Sequence, residues 1–152
     1  MPLPAPQLSL KGRALRLLSG REHSRFELER KLAAHEKEPG QLAGVLDELE
    51  SRDFTSEQRV VDSVVHRRAG RLGAMRIRQE LQAKGLDSAR VKEAVARLKP
   101  SELDRARGVW RKKFDALPVG AAERGKQARF LAGRGFDGEV IGRVLACALE
   151  AD

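Results

Sequence analysis

The sequence predicts an all-α fold of three tandem three-helix, helix-turn-helix-like repeats in an elongated arrangement. Composition is the first observation behind this. Leu and Ala each occur 20 times, against 13 Val plus Ile, one Thr and no Tyr, so helix formers dominate and sheet formers are scarce. The second is a repeat in the apolar positions. Measured from Leu32, Leu81 and Leu131, the residues ten further on are Leu42, Val91 and Ile141, and those fourteen further on are Leu46, Val95 and Leu145. Seventeen on lie Leu49, Leu98 and the weaker match Ala148. The step from ten to fourteen is one helical face. The third is punctuation: Pro39, Pro100 and Pro118 fall in the expected connections and not inside a helix.

The elements run in order along the chain. Residues 1–10, with Pro2, Pro4 and Pro6, read as a flexible arm without the basic start and apolar stretch of an export signal. Repeat one occupies 11–54, repeat two 55–99 and repeat three 100–152, each about 45 residues and below the size of an ordinary single-core domain. Each repeat opens with a helix whose inward face is Ala14, Leu17 and Leu18, then Val61, Val64 and Val65, then Ala106, Val109 and Trp110. Short second helices are expected over Phe26–Ala34, Met75–Lys84 and about Gly125–Gly133, leaving Asp115–Arg124 as the longest connection. Ser24 with Glu27, Thr55 with Gln58, and Ser101 with Asp104 have capping-box spacing.

A tight corner then leads to each third helix. Lys84-Gly85-Leu86-Asp87 and Arg134-Gly135-Phe136-Asp137 supply a glycine for a left-handed position, an apolar plug and an Asp to cap the third helix. Repeat one replaces this with Glu36-Lys37-Glu38-Pro39-Gly40. Chained side by side, such units give a radius of gyration above the ~15 Å of a compact globule this long.

Charge is the second layer of information. The chain carries 30 Lys+Arg and 22 Asp+Glu, net +8, which favours an acidic partner. Residues 1–54 are net neutral, 55–98 carry +5 and 99–152 carry +3. Between positions 66 and 84, Arg67, Arg68, Arg71, Arg76, Arg78 and Lys84 face only Glu80 in opposition. Together with Arg59 these are the candidate contacts to nucleic-acid phosphate or to carboxylates of a protein partner, for which the arginine fork is well shaped. A plain solvated basic face is the competing reading. Phe26, Phe54, Phe114, Phe130, Phe136 and Trp110 all read as core, so base stacking is not expected.

Catalytic signatures are missing. Gly133-Arg134-Gly135-Phe136-Asp137-Gly138 spells the dinucleotide fingerprint, yet a helix is expected before it where the motif requires a strand. His23, His35 and His66 lack ligand spacing, and the single Cys147, expected to be buried on a helix face, cannot form an internal disulfide. Carboxylates such as Glu27, Glu29, Asp47, Glu48 and Glu50 alternate with basic residues as on solvated helix faces. We expect no enzyme activity, no cofactor and no metal. No apolar run exceeds Val144–Leu149, so a soluble, cytoplasmic protein, most simply a monomer, is expected.

Several segments stand out together: Arg13-Ala14-Leu15 with Leu17-Leu18, Arg21-Glu22-His23-Ser24, Glu27-Leu28 and Lys31-Leu32; then Ile77-Arg78-Gln79-Glu80-Leu81 with Lys84-Gly85; then Arg129-Phe130-Leu131, Arg134-Gly135-Phe136 and Val140-Ile141. In this order and spacing they resemble the RecX family, regulators of the RecA recombinase. The resemblance implies tandem three-helix repeats that bind in the groove of a RecA filament on DNA and modulate recombination and the SOS response, generally by inhibition. It departs at Phe54-Thr55-Ser56-Glu57-Gln58-Arg59-Val60-Val61, which keeps the aromatic and Arg59 but lacks the paired acids and the phenylalanine usual in the family. A RecA filament is thus the expected partner, with single- or double-stranded DNA phosphate as a further contact and no membrane. The alternative is a sequence-specific helix-turn-helix DNA-binding protein, reading bases from Arg90, Lys92 and Arg97 on a helix beginning near Ser88.

Overall fold

The computed structural model describes Pro2 and residues 7–147; Ala148, most of the N-terminal arm and the Cys147 side chain lie outside the described residues. Among those residues the chain forms nine α-helices and no strand: α1 (Leu10–Gly20), α2 (Arg25–Leu32), α3 (Gln41–Ser51), α4 (Glu57–Arg68), α5 (Ala74–Ala83), α6 (Ser88–Leu98), α7 (Glu102–Lys113), α8 (Gly120–Gly133) and α9 (Gly138–Cys147). Short 3-10 turns at Ala33–His35 and Lys99–Ser101 extend α2 and lead into α7. The chain divides into two compact units. One takes Met1–Val60 with Lys84–Leu86, the other Val61–Ala83 with Asp87–Asp152.

In the first unit α1, α2 and α3 enclose Leu10, Ala14, Leu28, Leu32, Leu42, Leu46 and Leu49, with Leu17 and Leu18 partly buried against them. The origin Leu32 and its partners ten, fourteen and seventeen residues on are thus one core, as the periodicity requires. Ser24 makes the expected capping box: its Oγ accepts from the Glu27 N–H (3.1 Å), and Glu27 accepts from the Ser24 N–H (3.1 Å). The Ser24 hydroxyl also donates to the Lys84 carbonyl (2.6 Å), and the Phe26 ring lies over Gly85, where a Cβ would come within 2.5 Å of it. Gly85 has φ +71°, the left-handed corner predicted for it, and Leu86 is buried. In the first repeat's own corner Gly40 is left-handed (φ +82°), and the Glu36 carboxylate accepts from the Leu42 N–H (2.7 Å).

In the second unit Ile77 and Leu81 of α5, Val91, Ala94 and Leu98 of α6, and Val61 and Val64 of α4 are buried, whereas Val95, the residue fourteen on from Leu81, is only partly buried and the adjacent Ala94 is the one turned inward. Helices α7, α8 and α9 close a separate core of Ala106, Val109, Trp110, Leu131, Phe136, Ile141, Val144 and Leu145. Trp110 Nε1–H donates to Gln127 Oε1 (2.8 Å), while Gln127 Nε2 donates to the Ala116 carbonyl (3.1 Å), so the buried amide is satisfied on both sides. Gly135 takes φ +96° and Asp137 caps α9 by accepting from the Val140 N–H (2.9 Å). This corner is fastened to the start of α5. The Gly73 N–H donates to the Arg134 carbonyl (2.7 Å), and the Met75 N–H donates to the Gly135 carbonyl (3.1 Å).

Glu102 and Arg105, which sequence patterning does not mark, brace the same region. Glu102 is buried and accepts from the Ala74 N–H at the start of α5 (2.8 Å). Arg105 is paired with Glu102 and donates to the Ala69 (2.9 Å) and Leu72 (2.8 Å) carbonyls just after α4. One acid thus satisfies an orphan helix donor while its partner satisfies orphan carbonyls.

Several local expectations are corrected. Helix α8 begins at Gly120, so the connection after α7 is shorter than expected; Ala121-Ala122-Glu123-Arg124 are good helix formers and simply extend it backwards. Ser56, not Thr55, accepts from the Arg59 N–H (3.2 Å) at the start of α4. Ser101 caps nothing, because Pro100 sits in a 3-10 turn that runs straight into α7, and its hydroxyl donates to the Leu98 carbonyl (3.1 Å). Asp87 makes no capping hydrogen bond. Phe26 and Phe54 are exposed and not core. Phe26 instead covers Gly85 on one side and meets the Arg30 guanidinium at 5.7 Å from its ring centre.

Candidate functional site

The seven basic candidates divide by what already holds them. Arg59 is engaged within the first unit: Nε contacts Glu22 (3.0 Å), Nη1 contacts Asp53 (3.0 Å) and Nη2 donates to the Asp53 carbonyl (2.8 Å). Asp53 itself is in the left-handed region (φ 63°). The Asp53 and Glu22 hydrogen bonds raise the Arg59 pKa above its ordinary value. Lys84, also in the first unit, is largely buried and reaches Glu27 (3.3 Å). Burial alone would raise the Glu27 pKa, but hydrogen bonds from Arg21 and the Ser24 backbone, with the charges of Lys84 and Arg21, outweigh it and hold the carboxyl at about 2. Both cations therefore already have acidic partners at home.

The other five lie in the second unit. Arg68 contacts Glu80 through Nε (3.2 Å), and the opposite Glu80 oxygen is buried without a hydrogen-bond partner. Arg76 donates to the Gly133 carbonyl at the end of α8 (2.7 Å). Arg67, Arg71 and Arg78 are exposed and make no ion pair among the described residues. Arg68, Arg71 and Arg76 are brought together with Leu72, Gln79, Glu80 and Arg134 around one concavity of about 460 Å³. Arg67 and Arg78 do not line it.

Sequence reasoning alone does not find Arg134. A local signal exists, a basic residue beside a left-handed glycine, but its neighbours Arg71 and Arg76 lie some sixty residues back along the chain. The literal dinucleotide fingerprint is accounted for in the same place. It follows helix α8, and Gly135 is buried against Arg76, where a Cβ would come within 2.6 Å of the Arg76 backbone nitrogen. Of the three residues in the base-reading alternative, all on α6, Arg90 is partly buried, Lys92 is exposed, and Arg97 is exposed but pairs with Glu93 (2.7 Å).

The histidines do not assemble. His23 is buried, with Nδ1–H donating to the Arg21 carbonyl (3.0 Å) and Nε2 accepting from Lys31 Nζ (3.1 Å), while His35 and His66 are exposed. Desolvation lowers the His23 pKa; the Arg21 carbonyl opposes this, and the Arg21 and Lys31 charges reinforce it. Among the described residues no group of His, Cys, Asp and Glu could hold a metal ion, and no helix is long and apolar enough to cross a membrane.

Three family models match the chain in order: the RecX first three-helix domain over residues 11–49, the second over 56–95 and the third over 101–145. Regulatory protein RecX of Leptothrix cholodnii is 52% identical over 143 residues, covering 94% of this chain and 91% of that protein. Regulatory protein RecX of Ralstonia pickettii is 45% identical over 150 residues, covering 99% and 94%. The crystal structure of RecX from Lactobacillus salivarius superposes with a TM-score of 0.78 at 18% identity, covering 93% of this chain and 95% of that one, so the three-helix architecture is shared where the sequences have diverged. The chain, three tandem three-helix domains with an arginine-rich second domain, belongs to the RecX family of regulatory proteins.

Proposed function

We propose that this RecX protein binds the nucleoprotein filament of a RecA recombinase and restrains its strand exchange, ATP hydrolysis and SOS coprotease activity without chemistry of its own. The observation that carries this reading is the unneutralised arginine of the second domain. Arg67, Arg71 and Arg78 stand exposed without an acidic partner among the described residues, whereas Arg59 and Lys84 are held by acids. Exposed, unpaired guanidinium groups are those best able to exchange water for phosphate or carboxylate on docking. The neutral first domain, whose Arg25 is already shared among Glu29 (3.2 Å), Asp47 (2.6 Å) and Glu50 (3.4 Å), would add contacts of another kind. Weak contacts from each domain add through effective concentration once one has docked.

The test is charge reversal at Arg67, Arg71 and Arg78 together. Inhibition of RecA strand exchange is expected to disappear while helicity by circular dichroism is unchanged. Undiminished inhibition by the folded triple variant removes this surface from the mechanism. Tight binding to one naked duplex sequence over others, by several kcal/mol, would favour the sequence-reading alternative.

A further inference from the structure

We infer that the concavity lined by Arg68, Arg71, Arg76 and Arg134 is a binding site for the phosphate groups of a nucleic-acid strand. This deepens the proposed function and rests on it for the setting of a DNA-bound filament, but the site is argued from its own geometry.

Four guanidinium groups face one carboxylate around a recess of about 460 Å³, within the range of sites that enclose a small ligand. That carboxylate, Glu80, engages Arg68 at 3.2 Å and leaves the other three without an acid among the described residues. Those three are nevertheless positioned. Arg76 is tethered to a neutral carbonyl, Gly133 O at 2.7 Å. Arg134 lies over the Phe130 ring, its guanidinium carbon 5.1 Å from the ring centre. Arg71 sits in the tight turn after α4, where its N–H donates to the Arg68 carbonyl (2.9 Å). The first two contacts hold the Arg76 and Arg134 side chains and the third places the Arg71 backbone, none of them cancelling a charge, which is how a site is organised in advance for an anion.

The two turns that carry them are themselves pinned backbone to backbone, Gly73 to Arg134 at 2.7 Å and Met75 to Gly135 at 3.1 Å. A solvated basic face needs no such fastening. Phosphate is favoured over an acidic peptide by the concentration of charge, since three uncompensated arginines surround a space that would receive few carboxylates at once. Arginine forks also match phosphate oxygens in pairs.

The experiment uses the full chain without recombinase and follows a fluorescent oligothymidylate, and separately a labelled duplex, by anisotropy across a salt series. Arg71→Glu and Arg134→Glu are compared with Arg97→Glu, which makes the same charge change on exposed α6. The Arg134 substitution leaves its carbonyl bond to Gly73 in place, and circular dichroism checks folding. Each pocket variant is expected to weaken binding about tenfold and to flatten the log-log salt slope by about 0.7 for single strands or 0.9 for duplex per lost contact, with Arg97→Glu near wild type. The arm that binds identifies the form of nucleic acid. Equal losses in all three variants, unchanged slopes in the pocket variants, or displacement of the oligonucleotide by polyglutamate at equal charge concentration would each overturn the site. RecA ATP hydrolysis run on the same variants separates the two proposals: regulation lost with oligonucleotide binding intact removes the phosphate site and leaves the filament reading standing.

Discussion

Replacing Gly73 by Ala tests whether the corner of the third domain is truly seated on the start of α5. A Cβ at Gly73 would lie 2.3 Å from the Gly135 carbonyl oxygen, 2.4 Å from its carbon and 2.6 Å from the Phe136 nitrogen, all backbone atoms that cannot swing aside. Relief requires the corner to retreat. Retreat breaks the hydrogen bonds from Gly73 and Met75, worth about 1 kcal/mol each, and partly uncovers Phe136, now 2% exposed, at about another 1 kcal/mol. Exchanging Gly for Ala beside a helix start costs about 1 kcal/mol by itself, so the expected loss is about 4 kcal/mol. Urea unfolding followed through Trp110, the only tryptophan and part of the third core, measures it. Gly108→Ala is the control: nothing lies within 4 Å of the added Cβ inside α7, and a gain of up to about 1 kcal/mol is expected. A loss of 1 kcal/mol or less at Gly73 refutes the seated corner.

Buried charge sets three further outcomes. Because the Glu27 pKa is depressed to about 2 when folded, its contribution is complete above the unfolded value near 4.5 and is lost as pH falls from there towards 2. Glu27→Gln should therefore lose about 2 to 3 kcal/mol at neutral pH and match wild type near pH 2 by denaturant midpoint. His23 is also depressed in the folded state, so for a base the stability it permits is full above pH 6.5 and declines as pH falls through that value. Thermal midpoints of wild type should drop between pH 7.5 and 5.5 more than those of His23→Gln, and parallel drops would contradict the buried neutral imidazole. Glu102→Ala strands Arg105 and the Ala74 N–H, and calorimetry should show a loss of about 3 to 5 kcal/mol.

The features legible in the sequence are those that depend on near neighbours. Leu32, Leu81 and Leu131 with their downstream partners declare three copies because a helix face repeats locally. Ser24 with Glu27 forms its capping box because both partners lie within one turn. Gly85 and Gly135 announce left-handed corners because no side chain is tolerated there at low cost. The features that escape depend on distance along the chain. The Glu102–Arg105 brace grips residues from Ala69 to Ala74, and nothing near position 102 marks them. Phe26 reads as core because it is aromatic and helical, yet its surroundings are set by Gly85, nearly sixty residues on. The candidate site is half legible for the same reason. A run of basic residues from 67 to 84 stands out, but neither the internal engagement of Lys84 by Glu27 nor the approach of Arg134 to Arg71 and Arg76 can be read from a run.

The central claim, that the exposed arginines of the second domain act on a recombinase filament, is tested most directly by the rate of ATP hydrolysis by the cognate RecA on single-stranded DNA. The wild-type chain is expected to lower that rate as it is titrated in, and the folded Arg67→Glu, Arg71→Glu, Arg78→Glu variant to leave it at the uninhibited value. A rate that does not respond to the wild-type protein, or that both proteins lower equally, would contradict the account.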